Sequence, residues 1–183
     1  TTTMGTSELN FYPVYERVEV KLVVKEGTTG VIERNGDGPS TEYAEWYVYG
    51  FTGRRISAAE FPNFFKVQGD GTYRIENSEL SGMFGTGAKV YVTDNLTGEV
   101  VEEFYVIVFG DINGDGRINV SDANALKKET LSPTWSNRRT AVPYRIKSAD
   151  LNGDTRVNVS DVNILKAVSL ATKTLNQQTG RAS

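Results

Sequence analysis

Apolar and polar positions alternate over residues 17–24, with Val18, Val20, Leu22 and Val24 on one side, the period-two signature of a half-buried strand. Residues 43–51 and 99–108 are further runs rich in β-branched and aromatic side chains, which pack well on a pleated surface. Turn chemistry separates such runs: Asn35-Gly36-Asp37-Gly38, Gly69-Asp70-Gly71 and Asp94-Asn95-Leu96-Thr97-Gly98. The last of these joins residues 88–93 to residues 100–108 and predicts a β-hairpin. A short helix is expected around residues 57–61. The pattern then changes period: residues 121–130 and 160–171 carry helical spacing with no Gly or Pro inside.

Composition divides the chain at the same place. Of its 19 aromatic residues, 17 fall in residues 1–110, leaving Trp135 and Tyr144. The first part holds 9 Lys and Arg against 16 Asp and Glu, the second 11 against 7, so net charge passes from −7 to +4. The Asp residues of the second part are confined to 111–122 and 150–161, unlike charge spread over a solvated surface. We therefore expect two domains and a tail: residues 1–109 as an all-β, immunoglobulin-like sandwich, residues 110–175 as a small all-α unit, and residues 176–183 beyond it. The chain has no Cys and no His, which excludes disulfides, thiolate zinc sites, cysteine nucleophiles and histidine bases. A net charge of −3 argues against a nucleic-acid partner. No apolar run reaches membrane-spanning length, and no signal peptide is evident. A start at Thr1-Thr2-Thr3 reads as a piece of something longer.

The second part repeats itself. Asp111-Ile-Asn-Gly-Asp-Gly-Arg-Ile-Asn-Val-Ser-Asp122 returns 39 residues later as Asp150-Leu-Asn-Gly-Asp-Thr-Arg-Val-Asn-Val-Ser-Asp161, with nine of twelve positions identical. Calcium wants six to eight oxygen ligands, and a twelve-residue EF-hand loop supplies them from positions 1, 3, 5, 7, 9 and 12. Those positions are Asp111, Asn113, Asp115, the Arg117 carbonyl, Asn119 and Asp122 in the first loop. In the second they are Asp150, Asn152, Asp154, the Arg156 carbonyl, Asn158 and Asp161. A single D-x-N-x-D-G hexamer is as readily an Asx-rich turn, and Glu33-Arg-Asn-Gly-Asp-Gly38 is a decoy of that kind, with Thr41 and Ala44 where ligands are needed. Two complete loops with acids at 1, 5 and 12 point to two bound Ca2+. Position 6 of the second loop is Thr155, a β-branched residue where a left-handed backbone is wanted, so that loop should release its ion first. The segment before Asp111 is a strand pattern, which argues against a calmodulin-type helix–loop–helix.

A calcium loop followed by a helix, given twice without an entering helix, closely resembles a dockerin of the cellulosome system. The resemblance rests on residues 111–128 and 150–167. It implies a calcium-folded module of about three helices whose outer helices grip a cohesin of a scaffold or anchoring protein, within an extracellular polysaccharide-degrading complex. It also places partner contacts at loop positions 10 and 11 and along each following helix: Val120, Ser121, Leu126, Lys127 and Lys128, then Val159, Ser160, Leu165 and Lys166. For the two leucines, core packing competes with contact. A β module directly before a dockerin is also similar to the X-module–dockerin dyads of scaffold proteins. Asn119-Val-Ser and Asn158-Val-Ser are glycosylation sequons lying on calcium ligands, so a bacterial source is expected.

The first domain carries no catalytic pattern. Gly82-Met-Phe-Gly-Thr-Gly-Ala-Lys89 fails as a phosphate loop because Ala88 stands where the lysine must follow the glycine. Glu42, Glu45 and Glu60 show no spacing that makes a glycosidase pair. We expect no enzyme. Tyr43, Glu45, Tyr47, Tyr49 and Phe51 share one strand face, with Trp46 and Val48 on the other. That face is either a sugar-stacking platform or interface packing. The two functional readings are thus an assembly dyad, or a carbohydrate-binding or adhesin-type β module on a calcium-stabilised tether.

Overall fold

A computed structural model describes residues 16–34, 45–52, 57–76, 83–137, 139 and 141–183. The decoy turn at 35–38, Tyr43 and Glu42 lie outside the described residues. Among the described residues seven strands come first: β1 (Lys21–Val24), β2 (Val31–Glu33), β3 (Tyr47–Tyr49), β4 (Phe65–Gln68), β5 (Gly71–Glu76), β6 (Lys89–Asp94) and β7 (Val100–Val106). Between β3 and β4 a 3-10 turn, Ala58–Glu60, runs into α1 (Phe61–Phe64), where the short helix is expected. The predicted 88–93/100–108 hairpin forms as the antiparallel β6–β7 pair, with a register shift at Val92/Thr93.

The strands make a five-stranded sheet in the order β2-β3-β7-β6-β5 and a two-stranded sheet, β1-β4. β3 runs parallel to β7 while the other pairs are antiparallel, so the sheet is mixed. What stands of the expected sandwich is a β-rich first part with both sheets contributing to one core. Val20 and Leu22, Val48, Phe65, Val90, Val92 and Phe104 are all buried there. The strand over 17–24 is shorter than its alternation suggests: pairing with β4 begins at Lys21, and Val18 is exposed.

The chain turns at Phe109–Gly110 and enters the repeat. Helix α2 (Val120–Leu131) follows the first loop, α3 (Pro143–Ala149) lies between the repeats, and α4 (Val159–Ser169) follows the second. Each long helix starts on a reciprocal cap. Asn119 accepts from the Ser121 amide while Asp122 accepts from the Asn119 amide, and Asn158 with Asp161 repeat the arrangement. The α2 and α4 faces pack together through Ala123, Leu126, Val162, Leu165 and Val168, all buried in a core continuous with that of the β part.

Residues 176–183 are folded against the rest. Leu175 bridges Ala182, and the Gln177 amide both accepts from the Phe109 amide at 2.8 Å and donates to its carbonyl at 2.9 Å. This clamp satisfies both backbone groups of a residue at the junction of the two parts.

Candidate functional site

The first loop is built around two fully buried carboxylates, Asp111 and Asp122. Asp111 Oδ1 accepts from the Gly114 amide (2.9 Å), and Oδ2 accepts from Gly116 (3.1 Å) and Thr86 (2.9 Å). Asp122 accepts from Ile112 (2.9 Å), Asn113 (3.3 Å) and Asn119 (2.9 Å). Asp115 accepts from the Arg117 amide at 2.9 Å and from the Asn113 side chain at 3.1 Å. Gly116 supplies the left-handed turn at position 6, with φ +73°.

The second loop copies this almost bond for bond. Asp161 is buried and accepts from Leu151, Asn152 and Asn158. Asp150 accepts from Gly153 and Thr155. Thr155 does adopt the strained left-handed backbone, φ +66°. The guanidinium of Arg181 reaches across from the C-terminal segment to the Asp150 carbonyl at 3.2 Å.

The electrostatics of these groups suit a divalent cation. Burial pushes the Asp111 carboxyl up to about 7, against the pull of its amide donors and with the charge of Asp122 adding to the rise. Burial raises Asp122 and Asp161 in the same direction. A buried anion without a cationic neighbour is costly, and a hard cation removes that cost while drawing on the same oxygens. Among the described residues no three acidic side chains converge closely enough to hold an ion by themselves. The donor set is instead mixed, as calcium accepts: Asp, Asn and a backbone carbonyl in each loop. The residues present fit the ion, with Asp111, Asn113, Asp115, Arg117, Asn119 and Asp122 in one loop and Asp150, Asn152, Asp154, Arg156, Asn158 and Asp161 in the other.

An exposed apolar side chain stands at the start and at the C-terminal end of each of the two segments α2 and α4. Val120 is 61% exposed and Val159, its repeat equivalent, 65%. Leu131 (77%) and Leu170 (74%) are equivalent by the same 39-residue offset and close each helix at its C-terminal end. Ser121, Lys127 and Lys128 are exposed along α2, and Ser160 and Lys166 along α4. Leu126 and Leu165 must be corrected as contact positions: both are fully buried. The α2–α4 packing takes the helix stripe they occupy, so they are core and cannot reach a partner in this packing. The sequence reading missed Leu131 and Leu170, although extending the repeat alignment by a few residues would have found them.

The repeats differ where α2 ends. Glu129 is buried and has Val168 as its counterpart. Its carboxylate accepts from the amides of Thr134, Trp135 and Ser136 and from the Thr134 and Ser136 hydroxyls, all between 2.7 and 2.9 Å. Burial alone would raise its pKa, but those donors outweigh it and hold the group down to about 2. Glu129→Gln should lower the stability of the calcium-loaded chain by about 1–3 kcal/mol, the range for a hydrogen-bonded charge losing its partners. A depressed pKa stabilises the fold above the ordinary value near 4.5 and loses that contribution as pH falls toward 2. Thermal melts should therefore show the gap between the two proteins shrinking as pH drops from 5 toward 2.

The aromatic strand face is covered. Tyr47 and Tyr49 are buried, and the ammonium of Lys147 on α3 lies 5.5 and 5.2 Å from their ring centres. Lys147 pairs with Glu33 at 2.8 Å, and Tyr49 donates to the same carboxylate. Glu45 accepts from the Tyr47 hydroxyl and from the Tyr144 amide, while the Tyr144 ring stacks on Tyr105 at 4.7 Å. Burial raises the Tyr47 and Tyr49 phenols above their ordinary value, so both remain protonated donors. Of the two readings of this face, the described residues support interface packing.

Two Asx-rich loops, each feeding a capped helix, define a duplicated loop–helix module beside a β-rich part. Comparison with protein families makes this specific: residues 109–168 match the dockerin type I domain. That segment is similar to dockerins, a kind of domain that binds calcium and docks onto cohesins in cellulosome-like complexes. No curated protein and no solved structure matches the chain.

Proposed function

We propose that the chain is a non-catalytic assembly dyad. Its dockerin holds two Ca2+ and attaches the parent protein to a cohesin of a scaffold or anchoring protein in a bacterial, extracellular polysaccharide-degrading complex. The β-rich part acts as an immunoglobulin-like, X-module-like brace. The observation that carries this reading is the pair of repeat-equivalent apolar positions standing in solvent on α2 and α4, flanked by serines and lysines. An isolated calcium-folded domain gains nothing by exposing the same valine and leucine twice, whereas an apolar centre with a polar rim suits a protein partner.

Supporting the brace role, the aromatic face of β3 is spent on α3 and is not left open for stacking on sugar. On the other face, Trp46 packs on Phe104 with the Arg34 guanidinium over its ring. Capture by an immobilised panel of cohesins tests the proposal. At least one cohesin should retain the chain in calcium and release it in EDTA. Retention by insoluble or soluble glucans, with no cohesin binding, would turn the function to carbohydrate attachment.

A further inference from the structure

The glycine-rich segment that fails as a phosphate loop has a different use. Gly85 packs so closely on the first calcium loop that a Cβ there would overlap Asp111 Oδ2 and lie 2.5 Å from both the Gly114 carbonyl oxygen and the Gly116 nitrogen. The next residue, Thr86, donates its amide to Asp111 Oδ2 at 2.9 Å, and its hydroxyl is fixed by the Val108 amide (3.1 Å) and carbonyl (3.0 Å). Gly87, at φ +95°, sits under the Tyr144 ring, where a Cβ would come within 2.8 Å of a ring carbon. Three consecutive residues of the β part are thus shaped to dockerin residues.

Among the described residues, no donor from the β part reaches the second loop, whose Gly153 is packed instead by the Arg181 side chain. Asp150 is only half-buried, and the amides that hold its carboxylate, Gly153 and Thr155, belong to its own loop. The additional group reaching loop two is the Arg181 guanidinium, which meets the Asp150 carbonyl and not its carboxylate. Beyond the residue at position 6, two loops of nearly identical sequence therefore differ in a further respect that bears on the ion. In the first, a donor from another part of the chain fixes the position-1 carboxylate, orients it and shuts out water.

We propose that the turn Gly85-Thr86-Gly87 is a positioning element of the first calcium site, so that calcium in loop one and the docking of the β part on the dockerin are thermodynamically coupled, while loop two binds independently of the β part. Groups that orient a metal ligand from behind typically change affinity 10- to 100-fold when removed. Coupling is reciprocal: whatever the β part adds to the affinity of loop one, calcium in loop one returns to the docked arrangement. The inference rests on calcium binding by the dockerin and does not need the cohesin reading.

The test uses the whole chain titrated with calcium against a competing chelator, following the Gly116 and Thr155 amide resonances as reporters of the two loops. Gly85→Ala should raise the calcium midpoint at Gly116 at least tenfold and leave that at Thr155 within about twofold. In the unaltered chain, hydrogen exchange at the Thr86 amide should slow at least tenfold when calcium is added. This second measurement decides alone if the variant does not fold. Equal shifts at both loops, no shift at either, or Thr86 exchange indifferent to calcium would each overturn the coupling. Failure of both loops of the unaltered chain to bind calcium would overturn it together with the calcium reading, whereas two intact sites unaffected by Gly85→Ala would remove the coupling alone.

Discussion

Chelation of calcium should abolish the α2 and α4 helical signal and keep most of the β signal. Asp122 and Asp161 are at once calcium-loop residues and the capping residues of those helices. Asp111 and Asp122 are buried at the base of one loop, so without the cation their ionised forms oppose closure. Far-UV circular dichroism in excess EDTA should show the loss, and helical signal that persists unchanged would refute it. The β part should survive but melt at lower temperature, because Phe109 loses the Gln177 clamp and Tyr105 loses the Tyr144 stack when the dockerin opens. The two ions should leave in order. Loop two, with its strained Thr155 and the Arg181 cation beside Asp150, should empty first; calorimetry on Asp111→Ala and Asp150→Ala variants assigns the steps. Protons compete with calcium for Asp111. Because burial raises its carboxyl pKa, calcium affinity should begin to weaken on acidification at a higher pH than an ordinary aspartate ligand would give.

Replacement of Val120, Ser121, Val159 and Ser160 together by Asp should eliminate capture by any cohesin that retains the unaltered chain. The two pairs are exposed to similar degrees and related by the repeat, so a half-turn of the dockerin presents almost the same surface. A partner could then seat in either orientation, and changing one pair alone would leave binding through the other. The intact chain breaks this equivalence. Loop one is covered by the Gly85–Thr86 turn and loop two is not, Glu129 organises a turn beside α2 that Val168 cannot, and Lys128 is matched by Ala167. A peripheral charge contact accounts for at most about 1 kcal/mol of preference, while a rigid module beside one loop can exclude a pose outright. In the intact chain one pair should therefore cost at least ten times more affinity than the other, read by surface plasmon resonance. Equal losses would mean that the β part leaves orientation free.

The repeated Asx-rich loops, the helices that follow them and the β6–β7 hairpin were legible in the sequence because their determinants are local. An Asx-rich loop closes on amides two to ten residues away, and Asn119 and Asp122 reach the cap within four positions, so the 39-residue repeat carries its structure with it. Thr155 announced its own strain in the same way. The mixed sheet was not legible: pairing β3 parallel to β7 joins strands more than fifty residues apart, and alternation marks a strand without naming its neighbour. The fate of Leu126 and Leu165 was open for a related reason, since helical spacing says which residues share a stripe and only the α2–α4 packing says what that stripe faces. The support of loop one, the closing of the tyrosine face by Lys147 and the clamp on Phe109 depended wholly on the tertiary structure. Asp111 meets Thr86 across 25 residues, Glu45 meets Tyr144 across 99, and Phe109 meets Gln177 across 68. A backbone amide or a glycine without a side chain leaves no compositional trace of the carboxylate it serves, so only folding brings such pairs into view.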